Sequence, residues 1–74
     1  MSTCLLTSLI ECEGDGFVSR CPELDVASQG DTFEEAEANL REAVELFFEC
    51  ADAREIQNRL GRKVRVSQFE VAYA

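Results

Sequence analysis

The chain's pattern predicts a small α+β domain of order β-β-β-α-(short α)-β, and three observations carry that expectation. Short β-type runs come first, punctuated by Glu13-Gly14-Asp15-Gly16 and by Pro22. An apolar stripe at three- and four-residue steps follows from Phe33 to Ala51. A shorter capped segment then leads into a final run rich in Val, Phe and Tyr. The expected architecture is an antiparallel meander plus a final strand, with one long helix packed on one face.

Residues 3–12 are mostly apolar or β-branched and carry no Gly or Pro, so they read as the first strand. The turn at residues 13–16 makes the next strand, residues 17–21, its antiparallel partner. Pro22 ends that strand, because it has no amide hydrogen to give a ladder. Residues 24–29 resume as a third strand, although their alternation is weak.

Gln29-Gly30-Asp31-Thr32-Phe33-Glu34-Glu35-Ala36 marks the end of that strand and the start of the long helix. Thr32 and Glu35 have capping-box spacing, with the Thr32 hydroxyl expected on the Glu35 amide and the Glu35 carboxylate reaching back to the Thr32 amide. Asp31, Glu34, Glu35 and Glu37 set negative charge at the positive end of the helix dipole. Gly30 supplies a permissive backbone for the turn. The helix runs from Phe33 to about Cys50, with Phe33, Ala36, Leu40, Ala43, Val44, Phe47 and Ala51 on one face. Phe48 lies beside that stripe and reads equally as core edge or as a partner contact.

Asp52-Ala53-Arg54-Glu55 opens a second, two-turn helix that carries Ile56 and Leu60 and closes at Gly61. Residues 63–73 read as a last strand whose apolar parity shifts, since Val64 and Val66 share one phase and Phe69, Val71 and Tyr73 the other. A bulge or bend near Ser67-Gln68 reconciles the two halves, and the same bend could carry the segment onto a neighbouring subunit. Phe48, Phe69, Val71 and Tyr73 are therefore the candidate partner or oligomer contacts.

With 74 residues the chain is expected to be one domain, close to the size at which burial only just offsets conformational entropy. It has no disulfide framework or metal ligand set to staple it, which makes self-association, as a homodimer or tetramer, the expected further source of stability. A net charge of −8 repels phosphate backbones, so nucleic acid is a poor direct ligand and a basic protein a better one. Residues 31–50 hold seven acids against Arg41 alone, whereas Arg54, Arg59, Arg62, Lys63 and Arg65 cluster later. The plain reading of this asymmetry is a solvated helix face with ordinary cations near a helix C-terminus; pairing between subunits is the other.

Chemistry is sparse. With no histidine there is no base near neutral pH, and no G-x-S-x-G, P-loop or G-x-G-x-x-G pattern occurs. Glu11, Glu13, Asp15, Glu23, Asp25 and Asp31 lie on or beside strands and could hold magnesium, but turns favour Asp and open strand faces carry acids without any ligand. Cys4, Cys12, Cys21 and Cys50 contain no C-x-x-C pair, so no zinc site is expected. They read as reduced, buried, structural thiols of a cytoplasmic protein. Cys21, beside Pro22, has no histidine partner and is also read as filler. No apolar run approaches a membrane span, and the reading is non-enzymatic, without cofactor and without membrane contact.

Three stretches together carry a resemblance: residues 16–24 (GFVSRCPEL), residues 29–36 (QGDTFEEA) and Asn39-Leu40-Arg41-Glu42-Ala43. They resemble the HicB-like antitoxin family over roughly residues 5–50, and residues 64–74 look like the closing strand of its short, stand-alone members. Where the family commonly has glycine and cysteine after P-[DE]-L, this chain has Asp25 and Val26. The resemblance implies a partial ribonuclease-H-like fold without nuclease activity, in strand order 3-2-1-4. It also implies oligomers and, as partner, a small basic HicA-like toxin that cleaves messenger RNA. Family members often append a DNA-binding domain; none is expected within residues 1–74. The alternative function is an oligomeric regulatory or small-molecule-binding domain without a toxin.

Overall fold

A computed structural model describes residues 3–74. The element order is β1 (Leu9–Glu13), β2 (Gly16–Cys21), β3 (Val26–Gly30), α1 (Phe33–Cys50) and α2 (Ala53–Leu60), an α+β arrangement of a three-stranded antiparallel sheet and two helices. The strands lie in the order β1-β2-β3, with Leu9 opposite Arg20 and Glu13 opposite Gly16, then Phe17 opposite Gly30 and Cys21 opposite Val26. Gly14 takes φ 61 at the first central position of the β1–β2 turn, which suits a tight hairpin whose twist matches its strands.

The first strand is shorter than expected, and the reason is its partner. Leu9 faces Arg20 and β2 stops at Cys21 before Pro22, so residues 3–8 have almost no ladder left to join. Instead the Thr7 amide and hydroxyl both donate to the Glu23 carboxylate, tying this segment to the β2–β3 turn. The third strand likewise begins at Val26 rather than at 24. Asp25 takes φ 57, a left-handed turn, and this lets Leu24 drop into the core, fully buried.

Helix α1 lies across β3 and β2 and scarcely reaches β1. The buried core is small: Cys21, Leu24, Ala36 and Leu40, with Leu6, Val26, Val44, Phe47 and Phe48 packed partly against it. Ser19, also buried, donates from its Oγ to the Ala36 carbonyl at 2.8 Å and fastens β2 to the first turns of α1. Phe33, expected on the inner stripe, is half exposed and meets Phe17 edge-on at 6.4 Å.

Gly30 has a different task from the one its turn position suggests. Its φ is not left-handed; a Cβ there would lie 2.5 Å from the Ala36 amide nitrogen and 2.8 Å from the Glu35 carbonyl carbon. Close approach of strand to helix is what excludes a side chain. The N-cap forms as expected on one side only. Thr32 Oγ1 accepts from the Glu35 amide at 3.0 Å, whereas the Glu35 carboxylate accepts from the Asp31 amide, one residue before the predicted one.

Two further expectations fail. Residues 63–73 form no strand, and the order 3-2-1-4 is not seen: beyond α2 the chain carries no regular structure and every residue from 61 to 74 is exposed. With its apolar residues split between two phases, this segment cannot bury both sets on one face as a straight strand. The thiols also differ, since only Cys21 is buried while Cys4, Cys12 and Cys50 are exposed. Cys12 stays open because α1 leaves the β1 side of the sheet uncovered.

Candidate functional site

Three surfaces are available for contact. The first is the outer face of α1. Glu34, Glu37, Arg41, Glu42 and Glu45 are exposed and line one shallow depression of about 390 Å³, because steps of three, four, seven and eight residues return to the same side of a helix. Glu49 extends the exposed acidic surface toward the helix C-terminus. A single cation among so many carboxylates leaves a strongly negative surface. Such a surface draws cationic groups toward it within a Debye length of roughly 8 Å at physiological salt.

The second is the C-terminal segment. Phe69, Val71 and Tyr73 are 85%, 66% and 95% exposed, and Val64 and Val66 are also open. Large apolar side chains left open to water in a segment without regular structure make it a candidate contact surface. Phe48, by contrast, packs partly against the core and edge-on to Phe47 at 5.7 Å, so it joins the core edge and stands apart from the other three.

The third is the uncovered side of the sheet at β1. Leu9 is 41% exposed, Leu5 almost wholly so, and Glu11, Cys12 and Glu13 are open. Between residues 4–8 and the α1 side chains Glu37, Leu40, Arg41 and Val44 runs a groove of about 410 Å³.

The acids weighed as metal ligands do not converge: among the described residues no group of three or more His, Cys, Asp or Glu is placed to hold an ion. Glu23 is engaged instead by Thr7. Burial alone would raise its carboxyl, but the Thr7 hydroxyl and amide outweigh that and hold it below the usual glutamate range. Its Oε1 also lies 3.6 Å from the Cys21 Sγ. Burial, chiefly, pushes the Cys21 thiol up, the opposite of what a nucleophile needs.

Sequence reasoning missed several fastening residues. Ser19 shares parity with Phe17 and Cys21, and a hydroxyl on an otherwise inward-facing set was the available signal. Arg59 donates to the Leu24 carbonyl, pairs with Glu55 at 3.0 Å and lies 5.2 Å above the Phe47 ring, pinning α2 to the β2–β3 turn. Nothing in the spacing of Arg59 and Leu24, 35 residues apart, announces that contact. Asn39 donates from its amide to the Gln29 carbonyl at 2.8 Å, joining α1 to the end of β3. No helix among the described residues is long and apolar enough to cross a membrane.

No family model matches the chain, and no solved structure matches it. A UPF0150 protein of Helicobacter pylori is 31% identical over 71 residues, an alignment that covers 95% of this chain and 99% of that relative. With nearly the whole of both chains aligned at that identity, this chain belongs to the UPF0150 protein family.

Proposed function

We propose that this chain is a non-enzymatic, HicB-like protein-binding module, of antitoxin type, that neutralises a small basic RNA-cleaving protein. The observation that carries the reading is the exposed acidic face of α1, with Glu34, Glu37, Glu42 and Glu45 on a chain of net charge −8. A protein that grips RNA presents cations to phosphate, and an acidic face competes for those same cations. The α+β meander with a helix across it is compatible with the partial ribonuclease-H-like fold implied by residues 16–24 and 29–36. In this reading the carboxylates recognise charge and no group performs covalent chemistry.

Co-expression with the product of the adjacent reading frame tests it, scored by co-purification and by rescue of growth. A small basic protein there is expected to arrest growth alone and to co-purify with this chain, with complex formation weakening as salt rises. Reversing two exposed charges, Glu37→Lys with Glu45→Lys, should weaken the complex by tenfold or more while leaving the far-ultraviolet dichroism unchanged. A neighbouring basic protein that neither binds nor is neutralised would sink the antitoxin role.

A further inference from the structure

We propose that the groove between residues 4–8 and α1 docks an amphipathic, cationic helix of a partner protein, whose apolar side chains enter the groove while its cations lie over the acidic depression beside it. The inference rests on the reading of the acidic face as the surface that meets a basic partner, and it names the form that partner takes there.

The groove exists because the sheet ends early on this side. β2 stops at Cys21 ahead of Pro22, β1 starts only at Leu9, and the Thr7 bonds to Glu23 hold the preceding strap to the β2–β3 turn. Leu5 and Leu6 of that strap, with Leu40 and Val44 of α1, line one space that also touches the buried Cys21. Leu6 and Val44 pack partly against Cys21, Leu24 and Leu40, whereas Leu5 is open to solvent. An apolar side chain entering there would extend the existing core and cover Leu5.

The rim sets the charge of the occupant. Glu37 and Arg41 border this groove and the acidic depression alike, so the two form one surface, apolar on one side and carrying Glu34, Glu42 and Glu45 on the other. A segment that covers both has to be apolar along one stripe and cationic along the next, which describes an amphipathic basic helix. The length fits as well. From Glu37 to Val44 the helix advances about 10.5 Å, the rise that separates anchors at i and i+7 of a docked helix. Arg41 is the exception in the rim. Glu37 and Glu45 stand one turn to either side of it, yet among the described residues it forms no ion pair. A carboxylate set among the partner's cations would find Arg41 there, and this distinguishes one basic helix from another.

Two peptides test the proposal by titration into the isotope-labelled full chain at physiological salt. Both are four-turn, end-blocked helices with lysine along one stripe; one carries leucine at i, i+4 and i+7 of the other stripe, and the second carries serine there. The leucine peptide should bind at least tenfold more tightly and should move the amide resonances of residues 4–8 together with those of 37–45. Leu5→Gln and Arg41→Glu change exposed side chains and should keep the helical dichroism. The first should weaken the leucine peptide at least threefold. The second should shift the preference between glutamate and lysine beside the middle leucine at least tenfold toward lysine. Equal affinity for the two peptides, shifts confined to the outer face of α1, or indifference to Leu5→Gln would overturn the proposal. So would Overhauser contacts, before any peptide is added, from the Leu5 and Leu6 methyls to a second copy or to residues beyond α2, because the groove would then be filled by this chain itself. The co-expression test remains separate: a neighbouring protein neutralised equally well by wild type and by Leu5→Gln leaves the antitoxin reading standing and removes the groove from it.

Discussion

Glu23 shows how one side chain can serve a fold without serving chemistry. Its carboxylate takes the amide and hydroxyl of Thr7 and so closes the N-terminal segment onto the β2–β3 turn. Because its folded pKa is depressed, the stabilisation is fully present above the ordinary glutamate value of 4.5 and is lost as pH falls through the lower folded one. Carbon-13 titration of the carboxyl should show this directly, and Thr7→Val should return the Glu23 midpoint toward the ordinary value. Thiol reactivity is the second residue-scale test. Cys4 and Cys50 are exposed and Cys21 is buried, so native alkylation should label the first two promptly and Cys21 only after unfolding. Asp25 marks a further local fact, since it holds a left-handed backbone, φ 57, without being a glycine.

Among the elements, the junction of β3 and α1 is the most constrained. Gly30 presses against the backbone of Glu35 and Ala36, while Ser19 reaches the Ala36 carbonyl from β2, so one turn of helix is held from two strands. Gly30→Ala should therefore cost roughly 1–3 kcal/mol in denaturant unfolding, since backbone rather than a pliable side chain would have to move. Loss of the Thr32 hydroxyl is a milder injury to the same junction. Thr32→Ala should cost about 1 kcal/mol, because the Glu35 amide would lose its cap while the Glu35 bond to Asp31 remains. The stripe of α1 was legible because helical spacing depends only on order along the chain. Which strands that stripe covers was not legible; the sheet's partner choice sets it.

For the whole molecule, the distribution of exposed apolar side chains is the controlling fact. Leu5, Leu9, Phe69, Val71 and Tyr73 stand open, while the core among the described residues holds four buried apolar residues. With so small a core and so many open apolar side chains, self-association is expected to add stability, and the midpoint of thermal unfolding should then rise with protein concentration by mass action. Differential scanning calorimetry across a hundredfold concentration range should show that rise for the full chain and a flat midpoint for Phe69→Asn with Val71→Asn.

By itself the sequence determined the local elements: the hairpin at Gly14, the stop at Pro22, the Thr32 and Asp52 caps and the periodic face of α1 each follow from dihedral preference, capping and spacing within a few residues. It also carried the acidic balance of the chain and the resemblance in residues 16–24 and 29–36. Only the tertiary structure decided that Gly30 is needed for contact rather than for its backbone freedom, that three of four thiols are open, and that residues 63–73 do not close onto their own sheet. Those outcomes depend on which surfaces meet across long separations. An isolated strand-like segment becomes a strand only when a neighbouring edge accepts its main-chain groups and buries its side chains.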